Sequence, residues 1–309
     1  MTKTFAAQVE ALWIYPIKSC AGVSVQAAQL TETGLAWDRN WMVVNTKGMM
    51  VTQRDLPRMA LIQPVLPAAS LDTLGHNSAW LLRAPGMADL GLTRFTQPVP
   101  ESEPVSVQVW QDTVPAFDQG QAAGDWLTTF LGSSMGPLRL VQFDTRHRRL
   151  SSKKWTHDVP AVNQFSDGFP ILVASTASLD ELNTRLAKQG QPTVDMRRFR
   201  PNVVLGDLLS VHPMQAVSAH DEDRVATLTF ATEAGDVHLQ PVKPCPRCPI
   251  PNIDPDTAQS THTVGDTLQA YRQDARVDGA VTFGMNAIPL RGVGRVLQVG
   301  QAVQADWQF

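Results

Sequence analysis

Two cysteines, Cys245 and Cys248, lie three residues apart in a proline-rich stretch, and a thiolate is both a nucleophile and a ligand for soft metals. Each proline fixes its own φ angle, removes a backbone donor and favours an extended conformation in the residue before it. We therefore expect residues 241–257 to form a rigid loop through which neither a helix nor a central strand runs. Arg247, next to Cys248, would favour the thiolate over the thiol. The stretch predicts a reactive or metal-ligating cysteine on a rigid loop.

Other interpretations of the cysteine pair stay open. A C-x-x-C sequence also occurs in partial zinc sites and redox pairs, or it holds two unrelated thiols. A zinc site needs two more ligands, and although His238 and His262 flank the pair, their spacing matches no standard zinc pattern. A thioredoxin-type motif would begin a helix, and Pro249 and Pro251 oppose a helix here. These two observations make a zinc site and a redox dithiol less favoured than a reactive or metal-ligating cysteine.

Cations elsewhere in the chain could bind an anion. Lys18 and Ser19 occupy a turn after a predicted strand, where the lysine would supply a point charge to a phosphate and the serine a hydrogen bond. An exposed Lys-Ser turn without a ligand is the ordinary alternative. Arg39 stands at a strand entrance beside Asp38, where an ion pair is the ordinary explanation. Both places are candidate binding positions.

Arginines are concentrated at residues 197–200, which contain three of them and lead into a predicted strand. Such a cluster is costly unless something anionic compensates it. Arg200 precedes Pro201, so we expect an extended backbone there, with a guanidinium able to bind a phosphate or carboxylate through two hydrogen bonds. A second basic run, residues 146–154, could dock an acidic electron donor or cover an anionic ligand, with a solvated loop as the ordinary alternative.

The composition bounds the class of protein. The 309 residues suffice for one large or two ordinary domains, and 43% hydrophobic with 18% charged residues is typical of a globular protein. A formal net charge of -3 gives no field that would recruit nucleic acid or an anionic membrane. Three cysteines fit a reducing compartment better than a disulfide framework. No signal segment and no run near the roughly 18 apolar residues of a membrane span is found, so we expect a cytoplasmic protein.

Hydrophobic periodicity predicts a mainly β protein with some helix, of the α+β class. Alternating patterns and turn signals favour strands at residues 5–15, 58–66 and 105–110 and a hairpin at 41–53. Because no helical period interrupts them, we expect a barrel or sandwich in the first half of the chain.

Helices are predicted mainly in the second half. Helical spacing marks residues 120–132, a capping box that begins at Ser178, and residues 267–274. We take the first of these helices as the seam between two domains, residues 1–120 and residues 121–309.

Seven short motifs occur in a particular order along the chain. They are Tyr15-Pro-Ile-Lys-Ser-Cys20, Asp38-Arg-Asn-Trp41, Val51-Thr-Gln-Arg54, Ser166-Asp-Gly-Phe-Pro170, Phe199-Arg-Pro-Asn202, Cys245-Pro-Arg-Cys248 and Asp254-Pro-Asp-Thr257. In this order they resemble the MOSC superfamily, and more closely the bacterial relatives of the mitochondrial amidoxime-reducing component. The similarity covers essentially the whole chain. It implies an N-terminal β-barrel domain packed against a MOSC β-barrel domain with peripheral helices.

The resemblance implies a molybdenum cofactor, Mo-molybdopterin, in which the dithiolene of one pterin and one protein thiolate hold the metal. The position that matches the thiolate ligand is Cys248, and a soft thiolate suits a dithiolene-bound metal. Cys245 is the competing ligand, and we expect Cys20 to be structural. Asp167 would lie beside the open position of the metal as a catalytic residue that relays protons. The residues matched to the pterin and its terminal phosphate are Lys18, Ser19, Arg39, Arg200 and Asn202, with Arg247 keeping the thiolate charged.

The resemblance also implies a reaction. A small-molecule N–O substrate, such as an amidoxime or a hydroxylamine, would lose its oxygen as water. Because the sequence lacks the four-cysteine motif of a ferredoxin domain, we expect the electrons to come from a separate protein, a reductase, a ferredoxin or a cytochrome b5-like protein. One departure concerns Gly168 and Phe169, since the mitochondrial proteins carry small polar residues there that help hold the phosphate.

Two rival functions stay open. MOSC domains also occur at the end of molybdenum cofactor sulfurases, so a cofactor carrier or a sulfur-transfer module is the alternative. The sequence contains no aminotransferase-like region with a pyridoxal lysine, which weighs against it. A zinc-stabilised structural protein is the third hypothesis.

Overall fold

The structure, a computed structural model, describes residues 4–67, 79–93, 103–208 and 217–308, so the first three residues of the N-terminus considered above lie outside the described part. Its strands are β1 (Thr4–Ile14), β2 (Val23–Val25), β3 (Ala27–Thr31), β4 (Gly34–Leu35), β5 (Trp41–Asn45), β6 (Gln63–Val65), β7 (Ala79–Arg83), β8 (Leu90–Thr93), β9 (Val105–Val109), β10 (Asp112–Asp118), β11 (Leu138–Phe143), β12 (Arg149–Leu150), β13 (Val162–Asn163), β14 (Ile171–Ser175), β15 (Val203–Asp207), β16 (Val225–Phe230), β17 (Val237–Pro246), β18 (Gln273–Asp274), β19 (Ala280–Arg291), β20 (Val296–Gln298) and β21 (Ala302–Trp307). Its helices are α1 (Gln121–Leu131), α2 (Lys153–Thr156), α3 (Thr176–Lys188) and α4 (Thr263–Gln269), with 3-10 turns at Pro57–Leu61, Met196–Arg198, Asp221–Arg224, Ile250–Asn252 and Ala275–Val277.

Seven strands close into a barrel in the order β14-β15-β1-β21-β16-β17-β19, and β19 pairs back with β14. Every pairing in this ring is antiparallel except the parallel pair of β14 and β15. Closing a sheet into a ring removes its free edges. Because β1 lies between β15 and β21, the first strand of the chain completes a barrel whose other strands come from the second half.

The sequence of β1 shows how one irregularity keeps the barrel core apolar. Phe5 and Val9 are buried and alternate with more exposed residues. The pairing with β15 then shifts register between Val9 and Ala11, after which Leu12 and Ile14 are the buried residues. Because side chains alternate with a period of two, one extra residue returns the apolar set to the inner face.

A four-stranded antiparallel sheet in the order β5-β11-β10-β9 lies beside the barrel. One hydrophobic cluster joins the two, because it contains Val173 of β14 together with Trp41 of β5 and Leu127 of α1. The ring of Trp41 also packs against two further buried tryptophans, with centroids 5.8 Å from Trp37 and 4.5 Å from Trp80. The sheet and the barrel therefore share one core.

The prediction of a mainly β protein of the α+β class with peripheral helices is confirmed by the barrel, the sheets and the four helices of the described residues. The strand expected at residues 5–15 is β1, and the helix expected at 120–132 is α1. The helix expected at 267–274 lies earlier, at Thr263–Gln269. The domain boundary at residue 120 stays a prediction.

The rigid loop predicted over residues 241–257 begins later than expected, because β17 continues through Pro241 and Pro244 to Pro246. β16 pairs only with residues 237–239 of β17. The register with β19 shifts between Pro241 and Lys243 and again between Pro244 and Pro246. A proline tolerates a bulge or an unpaired edge because no ladder hydrogen bond is needed from its nitrogen there, and β17 has both.

Two further element boundaries differ from the prediction. α3 begins at Thr176 rather than Ser178, because Ser175 is the N-cap and its hydroxyl accepts a hydrogen bond from the backbone N–H of Ser178. Residues 58–66 do not form one strand, since Pro57–Leu61 is a 3-10 turn and only β6 follows it. Proline at the first position of a helical turn is favourable, which explains the turn.

A buried carboxylate, Glu222, joins the start of α3 to the 3-10 turn at Asp221–Arg224. It accepts hydrogen bonds from the hydroxyls of Ser175 at 2.9 Å and Ser178 at 2.6 Å. Glu222 is 1% exposed, and burial raises its pKa to about 7 despite these two donors. Ionising Glu222 therefore opposes folding.

We expect Glu222→Gln to remove a pH-dependent destabilisation. The folded-state pKa of Glu222 lies above its unfolded value, so its contribution to stability is fully present at low pH and is lost as the pH rises through about 7. The amide stays neutral, so the stability of the variant relative to wild type should increase by on the order of 2 kcal/mol from about pH 5 to about pH 7.5. Urea unfolding at the two pH values measures this change. The exposed Glu32→Gln is the control. If the difference in unfolding free energy between Glu222→Gln and wild type were the same at both pH values, the raised pKa would be contradicted.

Candidate functional site

The structure brings all the predicted site residues to one cavity of about 340 Å³. Its walls include the turn after β1, the turn between β9 and β10, the segment before β14 and the cysteine loop (residues 245–248), which begins in the last residues of β17. The predicted residues that line it are Lys18, Ser19, Arg39, Asp167, Arg200, Asn202, Arg247 and Cys248. The role of each residue stays a prediction.

Two guanidinium groups lie against one buried ring at the base of the site. Arg39 and Arg200 stand 4.3 and 4.2 Å from the ring centre of Tyr15. Arg39 donates to both carboxylate oxygens of Asp38 at 2.7 Å, whereas Arg200 donates from Nη1 to the carbonyl of Cys20 at 2.6 Å. Burial and the neighbouring Arg39 lower the pKa of Arg200 to about 10. Arg200 stays a cation at neutral pH without an acid partner among the described residues.

Three of the cavity residues have a left-handed backbone, with φ of 66° at Ser19, 49° at Arg39 and 59° at Arg200. Such angles are uncommon outside glycine and tend to occur at functional sites. The extended conformation expected for Arg200 is wrong. Contacts of its side chain with Cys20 and Tyr15 outweigh the local effect of the following proline.

Lys18 and Asp167 form a pair at another part of the wall. The buried Lys18 ammonium donates to the carbonyl of Phe165 at 2.9 Å and to Asp167 Oδ1 at 2.5 Å, and the indole N–H of Trp110 donates to the same oxygen at 3.1 Å. Burial lowers the pKa of Lys18. Asp167 is 74% exposed at its side chain, and the Lys18 ammonium together with the Trp110 N–H holds its pKa below the usual range. Asp167 is a carboxylate at neutral pH.

Arg149, from the basic run, holds the loop that carries Asp167. It is 6% exposed and pairs with Asp112 at 2.6 Å. It also donates to the backbone carbonyls of Gln164 at 2.9 Å, Ser166 at 2.7 Å and Asp167 at 3.1 Å. This arginine therefore positions a wall of the cavity.

The other cations of residues 146–154 divide into paired and unpaired groups. Arg146 contacts Asp144, and Arg148 contacts Glu32. The described part of the chain gives Lys153 and Lys154 no carboxylate partner. That the run docks a redox partner stays a prediction.

The arginine cluster at 197–200 is neutralised mostly by the chain itself. Arg197 contacts Asp195 and Asp256, both at 2.6 Å. Arg198 contacts Asp254 at 2.8 Å. Of the three arginines, Arg200 alone has no carboxylate partner among the residues that the structure describes, so it is the one available to an external anion.

The cysteine loop carries two thiols, and the guanidinium of Arg247 contacts one of them. Cys245 and Cys248 are both partly buried and both line the cavity. We expected Arg247 to act on Cys248, but its Nη1 lies 3.2 Å from the sulfur of Cys245 and its Nη2 donates to the carbonyl of Phe199 at 3.0 Å. Arg247 therefore fixes the loop and contacts the competing sulfur.

Asn202 and Cys20 are buried residues that support the site. The Asn202 oxygen accepts from the backbone N–H of Leu172 at 3.0 Å, and its amide donates to the carbonyl of Trp13 at 3.2 Å. Asn202 thus joins β14 to β1 beside the cavity. Cys20 is fully buried, and burial raises its pKa to about 12, which suits a structural thiol.

Gly168 and Phe169 also line the cavity. A Cβ added at Gly168 would meet no other atom within 4 Å. A small polar side chain would therefore fit at position 168 without displacing its neighbours.

Sequence reasoning missed several residues of the wall. Trp110 contacts Asp167, and the Arg54 guanidinium stacks on the Trp110 ring at 4.5 Å. Two more missed residues line the cavity, Lys243 on β17 and Asn286 on β19. Of these four residues, Arg54 lies in one of the seven motifs and Lys243 in the proline-rich stretch, whereas Trp110 and Asn286 belong to neither.

Among the described residues, no three His, Cys, Asp or Glu side chains lie close enough together to hold a metal ion. Within the same residues, every helix is too short or too polar to cross a membrane.

Two family models match the chain. The MOSC N-terminal beta barrel domain matches residues 6–134, and the MOSC domain matches residues 160–306. The chain is therefore a protein with a MOSC N-terminal domain and a MOSC domain, and the fold and the site described above belong to it.

Two relatives of known name indicate which members of the MOSC family the chain resembles. The chain is 33% identical over 279 residues to mitochondrial amidoxime reducing component 2 of Homo sapiens and 35% identical over 271 residues to mitochondrial amidoxime-reducing component 1 of Mus musculus. These matches cover 85% of this chain and 72% and 71% of the two relatives. The chain therefore belongs to the MOSC family that includes the amidoxime-reducing components. The solved YUAD protein from Bacillus subtilis matches at 14% identity and a TM-score of 0.37 over the full length of both chains, a likeness too weak to inform function.

Because Arg200 keeps an uncompensated charge, inorganic phosphate should stabilise the folded protein. A ligand that binds only the folded state raises the melting temperature by mass action, and we expect a rise of a few degrees over chloride at equal ionic strength. Arg200→Gln should lose most of this rise. Arg197→Gln, whose guanidinium already contacts two aspartates, should keep it. Equal rises in both variants, measured by differential scanning fluorimetry, would rule out Arg200 as the anion site.

Proposed function

We propose that this protein is a molybdenum-cofactor-dependent reductase of N-hydroxylated compounds such as amidoximes and hydroxylamines. The observation that carries the proposal is the cavity, where a partly buried cysteine meets cations drawn from separate parts of the chain. Membership of the family that includes the amidoxime-reducing components supports the same class of reaction.

The donors in the cavity fit an anionic pterin. Arg200 Nη2 and Arg247 Nε are buried and have no hydrogen-bond partner within the described residues. A buried donor without a partner costs free energy, which an anionic ligand would relieve. Cys248 would be the single protein thiolate on the metal, and the cofactor would supply the other ligands.

The remaining roles follow from where the side chains lie. Asn202 has both of its polar groups bonded to backbone, so it would fix the segment that carries Arg200. Arg247 would hold the cysteine loop in place through Phe199. The residues that would bind the pterin and its terminal phosphate are Lys18, Ser19, Arg39 and Arg200.

The bound cofactor would supply the two electrons that cleave the N–O bond. Reduction of an amidoxime to an amidine also consumes two protons and releases water. Asp167 would accept a hydrogen bond from substrate or water, because Lys18 and Trp110 keep its pKa low. A carboxylate held in this state orients a proton donor better than it donates a proton itself.

Electrons would come from a separate redox protein, which could be a reductase, a ferredoxin or a cytochrome b5-like protein. The unpaired lysines at 153 and 154 are the part of the basic run that remains available to such a partner. The cytoplasmic location expected from the sequence stays a prediction.

Replacing each cysteine of the loop tests which sulfur holds the metal. Protein made in a host that synthesises the cofactor should contain about one molybdenum per chain, and Cys248→Ser should contain less than about a tenth of that amount, because the only protein ligand is lost. Cys245→Ser is the matched control and should keep its molybdenum. Elemental analysis measures the content. Loss in Cys245→Ser with retention in Cys248→Ser would assign the ligand to Cys245.

Turnover tests the reaction itself. Molybdenum-containing protein should reduce benzamidoxime to benzamidine with reduced viologen as an artificial electron donor, which removes the need for the natural partner. Cys248→Ser should show no turnover. Protein that holds molybdenum but reduces neither benzamidoxime nor hydroxylamine would instead favour a cofactor carrier, and zinc in place of molybdenum would favour a structural protein.

A further inference from the structure

Lys243 is a cation in the cavity wall that lies between two aromatic rings. Its ammonium stands 5.8 Å from the ring centre of Phe169, which lines the same cavity, and 5.5 Å from that of Trp155. Lys154, on α2, contacts the same indole at 5.4 Å. Two ammonium groups therefore share one tryptophan ring.

The described residues do not neutralise this pair of lysines. In the described ranges, no Asp or Glu oxygen lies within ion-pair distance of Lys154 or Lys243, whereas Lys18, Arg39 and Arg198 each contact an aspartate. Cation–π contacts offset part of the cost of placing two like charges together. The remaining positive potential favours an anion at this wall.

Lys243 lies in the same cavity as the cations proposed to hold the cofactor, but on a different element of the fold. Arg39 and Arg200 lie against Tyr15, at the end of β1. Lys243 lies on β17 and pairs in register with Asn286 of β19. Lys243 is therefore a cavity cation that is not assigned to the cofactor.

We propose that Lys243 binds the carboxylate or phosphate of a small-molecule substrate whose flat apolar body lies on Phe169. The inference rests on the proposed function and refines its substrate class, because the protein then prefers anionic N-hydroxylated compounds to neutral ones. An ammonium and a carboxylate form a charge-assisted hydrogen bond, which is about twice as strong as a neutral one. The ring of Phe169, which is 9% exposed and belongs to one cluster with Ile288 and Ala161, supplies the apolar contact.

Two substrates with the same reacting group test the preference. Benzamidoxime and 4-carboxybenzamidoxime differ by one carboxylate, and with an artificial electron donor we expect kcat/KM to be about tenfold higher for the carboxylated compound, mainly through KM. In Lys243→Gln the ratio of the two kcat/KM values should fall toward one. Lys188→Gln removes an exposed charge on α3 that does not line the cavity, and it should keep the wild-type ratio.

Binding of the corresponding products gives a readout that needs no turnover. Calorimetry should show 4-amidinobenzoate binding about tenfold more tightly than benzamidine, with the difference lost in Lys243→Gln. Failure of the loaded protein to reduce either amidoxime would overturn the proposed function but leave this measurement valid. Equal kcat/KM values, or a preference that survives in Lys243→Gln, would overturn the inference alone. An effect of Lys243→Gln only when a protein supplies the electrons would also overturn it, because Lys243 would then bind the donor.

Discussion

The cavity depends on two guanidinium groups packed against one buried tyrosine. Arg39 reaches Tyr15 and also donates to the carbonyl of Arg200, which lies 161 residues further along the chain. The backbone of Tyr15 joins the same unit, because its N–H donates to Asp38 at 2.8 Å and its carbonyl accepts from the N–H of Arg39 at 2.8 Å. Asp38 neutralises the guanidinium of Arg39, and the guanidinium of Arg200 keeps its charge. The described residues therefore enclose a positive charge on Arg200 that has no acid partner among them, and an external anion would compensate it.

The barrel supplies the rigidity that this arrangement needs. β1 ends at Ile14, immediately before Tyr15, and pairs with β15 so that Leu12 faces Val203, close to Arg200. A closed sheet holds these strand ends in a fixed relation, since each strand is paired on both sides. The left-handed backbone at Ser19, Arg39 and Arg200 persists because these tertiary contacts determine it. The unusual conformations at the site are thus a consequence of the surrounding fold.

What the sequence could predict depended on how far the interacting residues lie apart. The alternation in β1 and the helical spacing in α1 are local patterns, and both elements were found. The order of the motifs pointed to residues of one cavity, including Lys18 and Cys248. The contact of Trp110 with Asp167 joins residues 57 positions apart and belongs to no short motif, so no sequence pattern could reveal it.

Local rules failed where tertiary contacts outweighed them. Proline after Arg200 predicted an extended backbone, but packing on Tyr15 and the hydrogen bond to Cys20 hold the residue in the left-handed region. The prolines of β17 predicted a break, but bulges opposite β19 allow the strand to reach Pro246. In both cases the sequence reports a preference of about 1–3 kcal/mol, which a few long-range contacts exceed.

Lys18 links anion binding to the protonation of Asp167. An ammonium has three N–H donors, and contacts with the carbonyl of Phe165 and the carboxylate of Asp167 leave one for a further acceptor. A phosphate at that third donor would place a second negative charge near Asp167. Because a nearby like charge raises the pKa of a carboxyl, a bound anion would partly offset the effect of Lys18 on Asp167. Lys18 would in this way connect the anion site to the carboxylate that orients the proton donor.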